Sequence, residues 1–92
     1  MRVYKYTLPL DDYATIRMPR GAQPLSVGMQ HDELQLWARV DPGAEMEPRR
    51  FRIAGTGHPG AEGKYVGTVL HFGGRLVWHV FDVTPPEPPI PS

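Results

Sequence analysis

Residues 64–83 read KYVGTVLHFGGRLVWHVFDV, two apolar runs on either side of a pair of glycines. Adjacent glycines both accept a positive φ, which the type I′ turn of a two-residue β-hairpin requires. A turn at Phe72-Gly73-Gly74-Arg75 therefore predicts an antiparallel hairpin and sets its register. The residues that it places opposite one another are Leu70 with Val77, Thr68 with His79 and Val66 with Phe81 on one face, and His71 with Leu76, Val69 with Trp78, Gly67 with Val80 and Tyr65 with Asp82 on the other.

This register has two consequences. His71 and His79 project from opposite faces, so they cannot bind one metal ion together. Both faces of the hairpin are apolar, whereas an antiparallel strand with one face in water normally shows one polar face. We therefore expect the hairpin to be covered on both sides, either by the rest of the chain or by a second subunit of a homo-oligomer. A dimer is the commonest closed form of such an assembly.

The rest of the chain shows period-two alternation in short runs. Successive side chains of a strand leave opposite faces of the pleat, so this alternation is typical of strands. Turn-forming residues separate the runs, since the chain has 10 Gly and 11 Pro. The further candidate strands are Val3–Leu8, Thr15–Met18, Leu25–Gln30, Leu34–Val40 and Arg49–Ala54. We predict an all-β fold, a small antiparallel β-sandwich or barrel of about six to seven strands, in one domain over residues 1–83.

Composition excludes several classes of protein. In 92 residues, 10 Lys and Arg balance 10 Asp and Glu, and this neutrality argues against a protein that binds long nucleic acids. The absence of Cys excludes disulfides, thiolate zinc sites and iron–sulfur clusters. Apolar runs are too short for a membrane-spanning helix and no signal peptide is evident, so we expect a cytosolic protein. Residues 84–92 read TPPEPPIPS and are expected to form a proline-rich tail, in polyproline II or disordered form.

A surface rich in tryptophan and arginine is the first candidate ligand-binding site. Residues 41–48 join the strand Leu34–Val40 to the strand Arg49–Ala54, and consecutive strands usually lie side by side. If these two strands pair, the side chains that share their outer face are Trp37, Arg39, Arg50 and Arg52. An indole beside guanidinium groups can stack on a base and hold phosphates. The alternative is an ordinary exposed face, in which arginine stems cover the tryptophan and nearby glutamates balance the charge.

A glycine-rich turn follows the second of these strands. Residues 55–60 read GTGHPG, and backbone N–H groups of such turns can converge on an anion. The turn lacks the Gly-Lys-Ser/Thr ending of a Walker loop, and no helical pattern follows it, so it is not a dinucleotide fingerprint. Either the glycines only allow the backbone to make a wide turn, or the turn belongs to the same ligand-binding site as Trp37 and the arginines. In the second case the residues that contact the ligand are Gly55, Thr56, Gly57 and His58.

Catalysis has little support in the sequence. His58 would form an acid–base pair, as in a nucleotide hydrolase, if Asp11, Asp12, Asp32 or Glu33 lay beside it. The motifs of serine hydrolases, zinc proteases and EF-hands are absent. The four histidines show no metal-ligand spacing. We therefore expect a protein that is not an enzyme, without catalytic residues, metal or cofactor.

From Tyr4 to Phe81, the sequence resembles a family of short, mostly uncharacterised proteins of bacteriophages and prophages. Its signature is Gly55-Thr56-Gly57-His58-Pro59. The other segments that carry the resemblance are Tyr4-Lys5-Tyr6, Pro19-x-Gly21-Ala22, Leu25-Ser26-Val27, Leu36-Trp37-Ala38, Val40-Asp41-Pro42, Arg52-Ile53, Tyr65-Val66-Gly67-Thr68 and Gly73-Gly74-x-Leu76-Val77-x-His79-Val80-Phe81. The proline-rich end after Val83 is expected to lie outside the similar region. The resemblance implies a phage-encoded accessory protein in the cytoplasm of the bacterial host, and it implies no particular chemistry.

Three roles follow from this resemblance together with the candidate surface. The first is a non-enzymatic protein that evades host defence by binding and sequestering a small anionic immune signal of nucleotide type. The second is an inhibitor that binds a bacterial defence protein through the apolar hairpin or the proline-rich tail. The third is a minor structural or assembly protein of the phage. The tryptophan–arginine surface and the turn after it favour the first role.

Overall fold

A computed structural model describes residues 1–85 of the chain. Its regular elements are seven β-strands, which are β1 (Arg2–Leu8), β2 (Tyr13–Pro19), β3 (Gln23–Gln30), β4 (Glu33–Val40), β5 (Met46–Gly55), β6 (Lys64–His71) and β7 (Leu76–Asp82). Every strand predicted from the alternation is present, with ends that differ by a few residues. Across the described range, no helix combines the length and the apolar character that crossing a membrane requires.

The strands form two antiparallel sheets. Sheet A has the order β1-β4-β3, and sheet B has the order β2-β5-β7-β6. The two sheets pack face to face through apolar side chains that alternate along their central strands. The largest fully buried side chains are Phe51, Leu8, Met18, Leu34, Leu36, Val40 and Val80. The predicted all-β fold is confirmed, and the architecture is a small antiparallel β-sandwich.

The predicted pairing of β4 with β5 is wrong. β4 lies between β1 and β3 in sheet A, whereas β5 lies between β2 and β7 in sheet B. Residues 41–45 therefore carry the chain from one sheet to the other, and the Arg20 N–H donates a 2.7 Å hydrogen bond to the Glu45 carbonyl there. Consecutive strands are neighbours in many sheets, but a sandwich also needs connections that change sheet, and local sequence does not distinguish the two.

The register predicted for the β6–β7 hairpin is confirmed over its turn-proximal half. His71 pairs with Leu76, and the pairing continues in step to Gly67 with Val80. A β-bulge between Tyr65 and Gly67 then shifts the register by one residue. The predicted partners beyond the bulge are consequently wrong, since Tyr65 pairs with Phe81 instead of Asp82.

Both hairpin turns contain residues with positive φ, which accounts for the glycines in one of them. Gly73 and Gly74 have φ values of 66° and 90°, as the predicted turn requires, and the Arg75 N–H donates to the Phe72 carbonyl. The β3–β4 hairpin turns at His31 and Asp32, whose φ values of 51° and 61° are uncommon outside glycine. The β3–β4 turn thus has the two positive φ values of a type I′ turn, whereas the β6–β7 turn has a third left-handed residue, Phe72, with a φ of 51°.

The sandwich covers one face of the β6–β7 hairpin. Val69 and Val80 are buried against sheet A, and His71 points the same way, whereas Leu70 on the other face is 64% exposed. Described parts of the chain therefore leave the outer face of the hairpin open at Leu70. The histidines lie on opposite faces as predicted, because His79 is on the outer face.

Gly67 allows the edges of the two sheets to approach each other. A Cβ atom at this position would lie only 2.7 Å from Cγ2 of Val27 in β3, which is closer than two carbon atoms can pack. A larger residue would force either the Val27 side chain or the two strands to shift. The glycine therefore closes this side of the sandwich.

The predicted tail begins with an ordered residue. The Thr84 hydroxyl accepts a 2.9 Å hydrogen bond from the Arg50 N–H, and the Thr84 N–H donates to Asp82 Oδ1 at 3.0 Å. Thr84 thus extends the contacts of sheet B. The rest of the predicted tail, from residue 86 to residue 92, lies outside the described residues.

Candidate functional site

The predicted ligand-binding residues lie on two opposite surfaces of the sandwich. Trp37 and Arg39 alternate with buried residues of β4, so they project from the outer face of sheet A. Arg50 and Arg52 alternate with Phe51 and project from the outer face of sheet B. The prediction of one common patch is wrong because the strands belong to different sheets whose outer faces point away from each other.

The outer face of sheet A carries one aromatic residue and two cations, and we name Lys5, Trp37 and Arg39 the Trp37 face. Lys5 pairs with Trp37 across β1 and β4. The indole is half-buried and lies beside Gly28 of β3, where a Cβ would come within 3.3 Å of Cζ3. A glycine at this position therefore gives the ring room to lie along the sheet, and part of the ring stays accessible.

Both cations of the Trp37 face have neutral hydrogen-bond partners among residues 1–85. Lys5 Nζ donates a 3.1 Å hydrogen bond to Gln30 Oε1, and Arg39 Nη1 lies 3.5 Å from Gln23 Oε1. These partners are neutral amides. Over residues 1–85, neither cation forms an ion pair with a carboxylate. Two cations held by neutral amides thus share this face with the indole.

Arg52 serves the fold rather than the surface. Arg52 is only 6% exposed. Its guanidinium donates hydrogen bonds to the Pro59 carbonyl at 2.6 Å and to the Asp12 carbonyl at 3.0 Å. Asp12 Oδ1 also lies 3.2 Å from Nη1. The side chain thus ties the β1–β2 connection and the β5–β6 connection to sheet B. The prediction that Arg52 lies on an open patch is wrong, because the β5–β6 connection covers it.

Arg50 is the exposed arginine of sheet B. Its guanidinium carbon lies 4.3 Å from the centroid of the Tyr13 ring, a cation–π contact. The two side chains line a shallow cleft of about 310 Å³ together with Gly60 and Glu62. The Glu62 carboxylate in the same cleft opposes the binding of an anion. Arg50 therefore shares its cleft with a carboxylate, whereas Lys5 and Arg39 have no carboxylate partner in residues 1–85.

The glycine-rich turn is a tight turn at the end of β5. The His58 N–H donates to the Gly55 carbonyl at 3.0 Å, and Gly57 has a φ of 85°, which is the geometry of a type II turn. The side chains of this turn diverge. Thr56 Oγ1 lies 2.9 Å from His79 Nε2 on the outer face of sheet B, whereas the His58 ring lies beside Gly55 and Trp78. The predicted neighbourhood of this turn with Trp37 is wrong, because the turn belongs to sheet B.

His58 and two carboxylates do share a cavity. Leu10, Asp11, Asp12, Ile53, His58 and Trp78 line a space of about 280 Å³ at the end of the sandwich. Within the described chain, no hydrogen bond or ion pair joins His58 to either aspartate, and Asp12 is paired with Arg52 instead. No group of three metal-ligating side chains gathers anywhere in residues 1–85. His58 and the two aspartates thus line one cavity, but His58 forms no hydrogen bond with either carboxylate in residues 1–85.

Several residues of these surfaces were missed by sequence reasoning. Lys5 alternates with Tyr4 and Tyr6 along β1, but nothing local indicates that β1 pairs with β4 and sets Lys5 opposite Trp37. His79 was placed opposite Thr68 by the hairpin register, and this was a usable signal for the contact that now joins them. Nothing in the sequence predicts the hydrogen bond between Thr56 and His79, because it depends on how the β5–β6 connection crosses sheet B.

Comparison with known proteins gives one match. A family described as a domain of unknown function, DUF7352, matches residues 1–91. The match includes most of the proline-rich end, so the expectation that similarity stops after Val83 is wrong. No curated protein and no solved structure is similar enough to this chain to count as a match. Because the match covers nearly the whole sequence, the chain belongs to the DUF7352 family of domains of unknown function.

Proposed function

We propose that this protein is a non-enzymatic binding protein for a small anionic ligand that carries a planar ring, such as a nucleotide. The ligand lies on the Trp37 face. The observation that supports this proposal is the position of a half-accessible indole on the same face as Lys5 and Arg39, two cations without a carboxylate partner in the described residues.

Each group of the Trp37 face has a defined role in this proposal. The indole of Trp37 stacks on the base, a contact that contributes about 1–3 kcal/mol per base in other proteins. The guanidinium of Arg39 binds a phosphate through parallel hydrogen bonds, and Lys5 adds a second positive charge. Gln23 and Gln30 hold the cations in place and can exchange partners when the ligand arrives.

The biological part of the proposal rests on the resemblance to phage proteins. We propose that the ligand is an immune signal of the infected bacterium and that the protein sequesters it in the host cytoplasm. Sequestration requires affinity and abundance but no catalysis, which agrees with a surface that offers stacking and charge. A homo-oligomer would present several such faces at once and belongs to the same proposal.

A thermal-shift screen tests the binding role. The probes are ADP-ribose, cyclic ADP-ribose, cyclic dinucleotides and nucleoside monophosphates, and the readout is the melting temperature. At a concentration of 100 times Kd, a ligand stabilises the folded state by about 2.7 kcal/mol, so a true ligand gives a clear shift. We expect a shift for the wild type and none for Trp37→Ala at the same concentration. No shift with any probe, or equal shifts for both proteins, would contradict the proposal.

A second candidate role has its own observation. Three large apolar side chains at the tip of the β6–β7 hairpin are exposed, namely Leu70, Phe72 and Leu76. Leu70 and Leu76 lie on opposite faces of the hairpin, so a protein partner would contact both sides of its tip. Under this alternative the protein inhibits a bacterial defence protein. The test is a pull-down from host lysate. A host protein that is recovered in equal amount with the wild type and with Leu25→Glu on β3, but not with Leu70→Glu, would favour this role over nucleotide binding.

A further inference from the structure

A chain of hydrogen bonds joins three hydroxyl groups and one imidazole on the outer face of sheet B. Thr56 Oγ1 lies 2.9 Å from His79 Nε2, and Thr68 Oγ1 lies 3.0 Å from His79 Nδ1. The Tyr65 hydroxyl lies 2.6 Å from Thr68 Oγ1. Both ring nitrogens of His79 are thus engaged, which fixes the orientation of the imidazole.

Three features of the fold assemble this chain. The register of β6 and β7 sets Thr68 opposite His79. The β-bulge after Tyr65 brings the phenol to the same face, three residues before Thr68. The type II turn at the end of β5 carries Thr56 back over the sheet to the other ring nitrogen. The arrangement therefore joins residues from three separate segments.

The arrangement matches the general requirements of an activated nucleophile. A hydroxyl becomes nucleophilic when a base lies within hydrogen-bond distance and a third group orients that base. In the tautomer with the proton on Nδ1, His79 donates to Thr68, and its Nε2 accepts the hydrogen bond of the Thr56 hydroxyl. Thr68 in turn donates to the Tyr65 oxygen, so every member of the chain has a partner.

A small cavity opens beside Thr56. Its volume is about 200 Å³, and the lining residues are Gly55, Thr56, His58, Arg75, Leu76, Val77 and Trp78. His79 is not among these lining residues. Of the hydrogen-bonded pair Thr56 and His79, only Thr56 therefore lines the cavity. The walls are mostly apolar with one cation, Arg75. Such a space suits a short acyl group whose carbonyl oxygen faces a guanidinium.

We propose that Thr56 is a nucleophilic site that accepts a short acyl group from an activated carboxylic ester. The Thr56 oxygen attacks the carbonyl carbon, and its proton passes to Nε2 of His79. The carbon–oxygen bond to the leaving alcohol then breaks, and the alcohol takes the proton from His79. The products are one alcohol and one acylated Thr56, and no oxidant, reductant or metal takes part.

This site is separate from the proposed ligand face. The Trp37 face lies on sheet A, whereas Thr56 and His79 lie on sheet B. Failure of nucleotide binding therefore leaves the acyl-acceptor proposal standing, and failure of acylation leaves the binding role standing. The two can be measured on the same preparation.

The test uses p-nitrophenyl acetate with the full chain, followed by mass spectrometry that locates the acetyl group. We expect one acetyl group on residue 56 in the wild type and in Thr56→Ser, which keeps a hydroxyl. We expect His79→Gln to slow acetylation of Thr56 about a hundredfold, the lower end of what a general base contributes. Thr68→Val should also slow it, by a smaller factor, since His79 then loses the group that orients its ring.

Surface imidazoles react with this ester without any built site, so the control is His31→Gln in the β3–β4 turn. We expect that variant to acetylate Thr56 at the wild-type rate. Melting temperatures of all variants verify that the fold is retained. Acetylation only at other residues, or acetylation of Thr56 at equal rates in the wild type and His79→Gln, would overturn the proposal.

Discussion

Arg49 Nη2 lies 2.6 Å from Asp82 Oδ2, and each of the two side chains is only 11% exposed. The guanidinium also donates to the Ala22 carbonyl at 2.7 Å, so the pair ties sheet B to the connection between β2 and β3. A cation and an anion withdrawn from water in this way depend on each other, because either one alone would be a desolvated charge.

The Arg49–Asp82 pair predicts a loss of stability in acid. Burial by itself raises the pKa of Asp82, but hydrogen bonds from Thr84 and the charge of Arg49 outweigh it and hold the pKa below its ordinary value of 3.8. A depressed folded-state pKa stabilises the protein above the unfolded-state value, and this contribution disappears as pH falls through the folded-state pKa. Urea unfolding at a series of pH values should therefore show a decline below about pH 4.

Asp82→Asn should lower the free energy of unfolding by about 3 kcal/mol at neutral pH, since it leaves Arg49 without its anion. The same variant should lose much of the decline below about pH 4. Glu47→Gln is the matched control, because Glu47 lies 3.9 Å from Arg20 in a solvent-exposed pair. Its effect should stay below about 1 kcal/mol. An Asp82→Asn protein as stable as the wild type would refute a structural role for the pair.

The same substitution at two neighbouring arginines of β5 should cost very different amounts of stability. Arg52→Gln removes hydrogen bonds to the Pro59 and Asp12 carbonyls and should cost about 3 kcal/mol. Arg50→Gln removes only an exposed contact with Tyr13 and should cost about 0.5–1 kcal/mol. Chemical denaturation measures both, and hydrogen exchange should show residues 56–63 opening only in Arg52→Gln. Equal costs would mean that Arg52 does not tie down this connection.

Gly67→Ala should destabilise the sandwich by about 1–3 kcal/mol, because the new methyl group meets Val27 across the edge between the sheets. The double variant Gly67→Ala with Val27→Ala should recover part of this loss, and a double-mutant cycle quantifies the coupling. Gly43→Ala is the control, since a Cβ there meets nothing closer than 3.5 Å. Strict additivity of the two changes would argue against a steric contact between β3 and β6.

Gly28→Ala should displace the Trp37 ring with little effect on the fold. A Cβ at residue 28 lies 3.3 Å from the indole, so the ring has to tilt away from β3. In a Trp78→Phe background, the fluorescence of Trp37 reports this movement directly. We expect a shifted emission maximum and a weaker affinity for the ligand, with an unchanged melting temperature. An emission spectrum identical to that of the parent would show that Gly28 does not set the position of the ring.

The strands and turns of this protein are largely readable from its sequence. Alternation in Leu34–Val40 identifies the buried face of β4 correctly, and Gly73 with Gly74 identifies the hairpin turn and its register. These features depend on neighbours in the chain. Even the outward direction of Arg52 was correct, since it alternates with buried Phe51 and Ile53.

The pairing of distant strands is not readable in the same way. Alternation tells which face of a strand is apolar but not which strand lies beside it, so β4 was assigned to β5 instead of β1 and β3. The burial of Arg52 is not readable either, because it depends on how the β5–β6 connection folds back over β5. The bulge at Val66 likewise carries no composition cue, and it alone shifts Tyr65 to Phe81.

The binding role is tested most directly by comparing two arginines that the sequence placed together and the fold separates. Isothermal titration with the panel nucleotide that most stabilises the wild type gives Kd for Arg39→Gln and for Arg50→Gln. The account predicts that Arg39→Gln weakens binding at least about tenfold, equivalent to about 1.4 kcal/mol, while Arg50→Gln binds as the wild type does. Equal loss in both variants, or loss in Arg50→Gln alone, would contradict it.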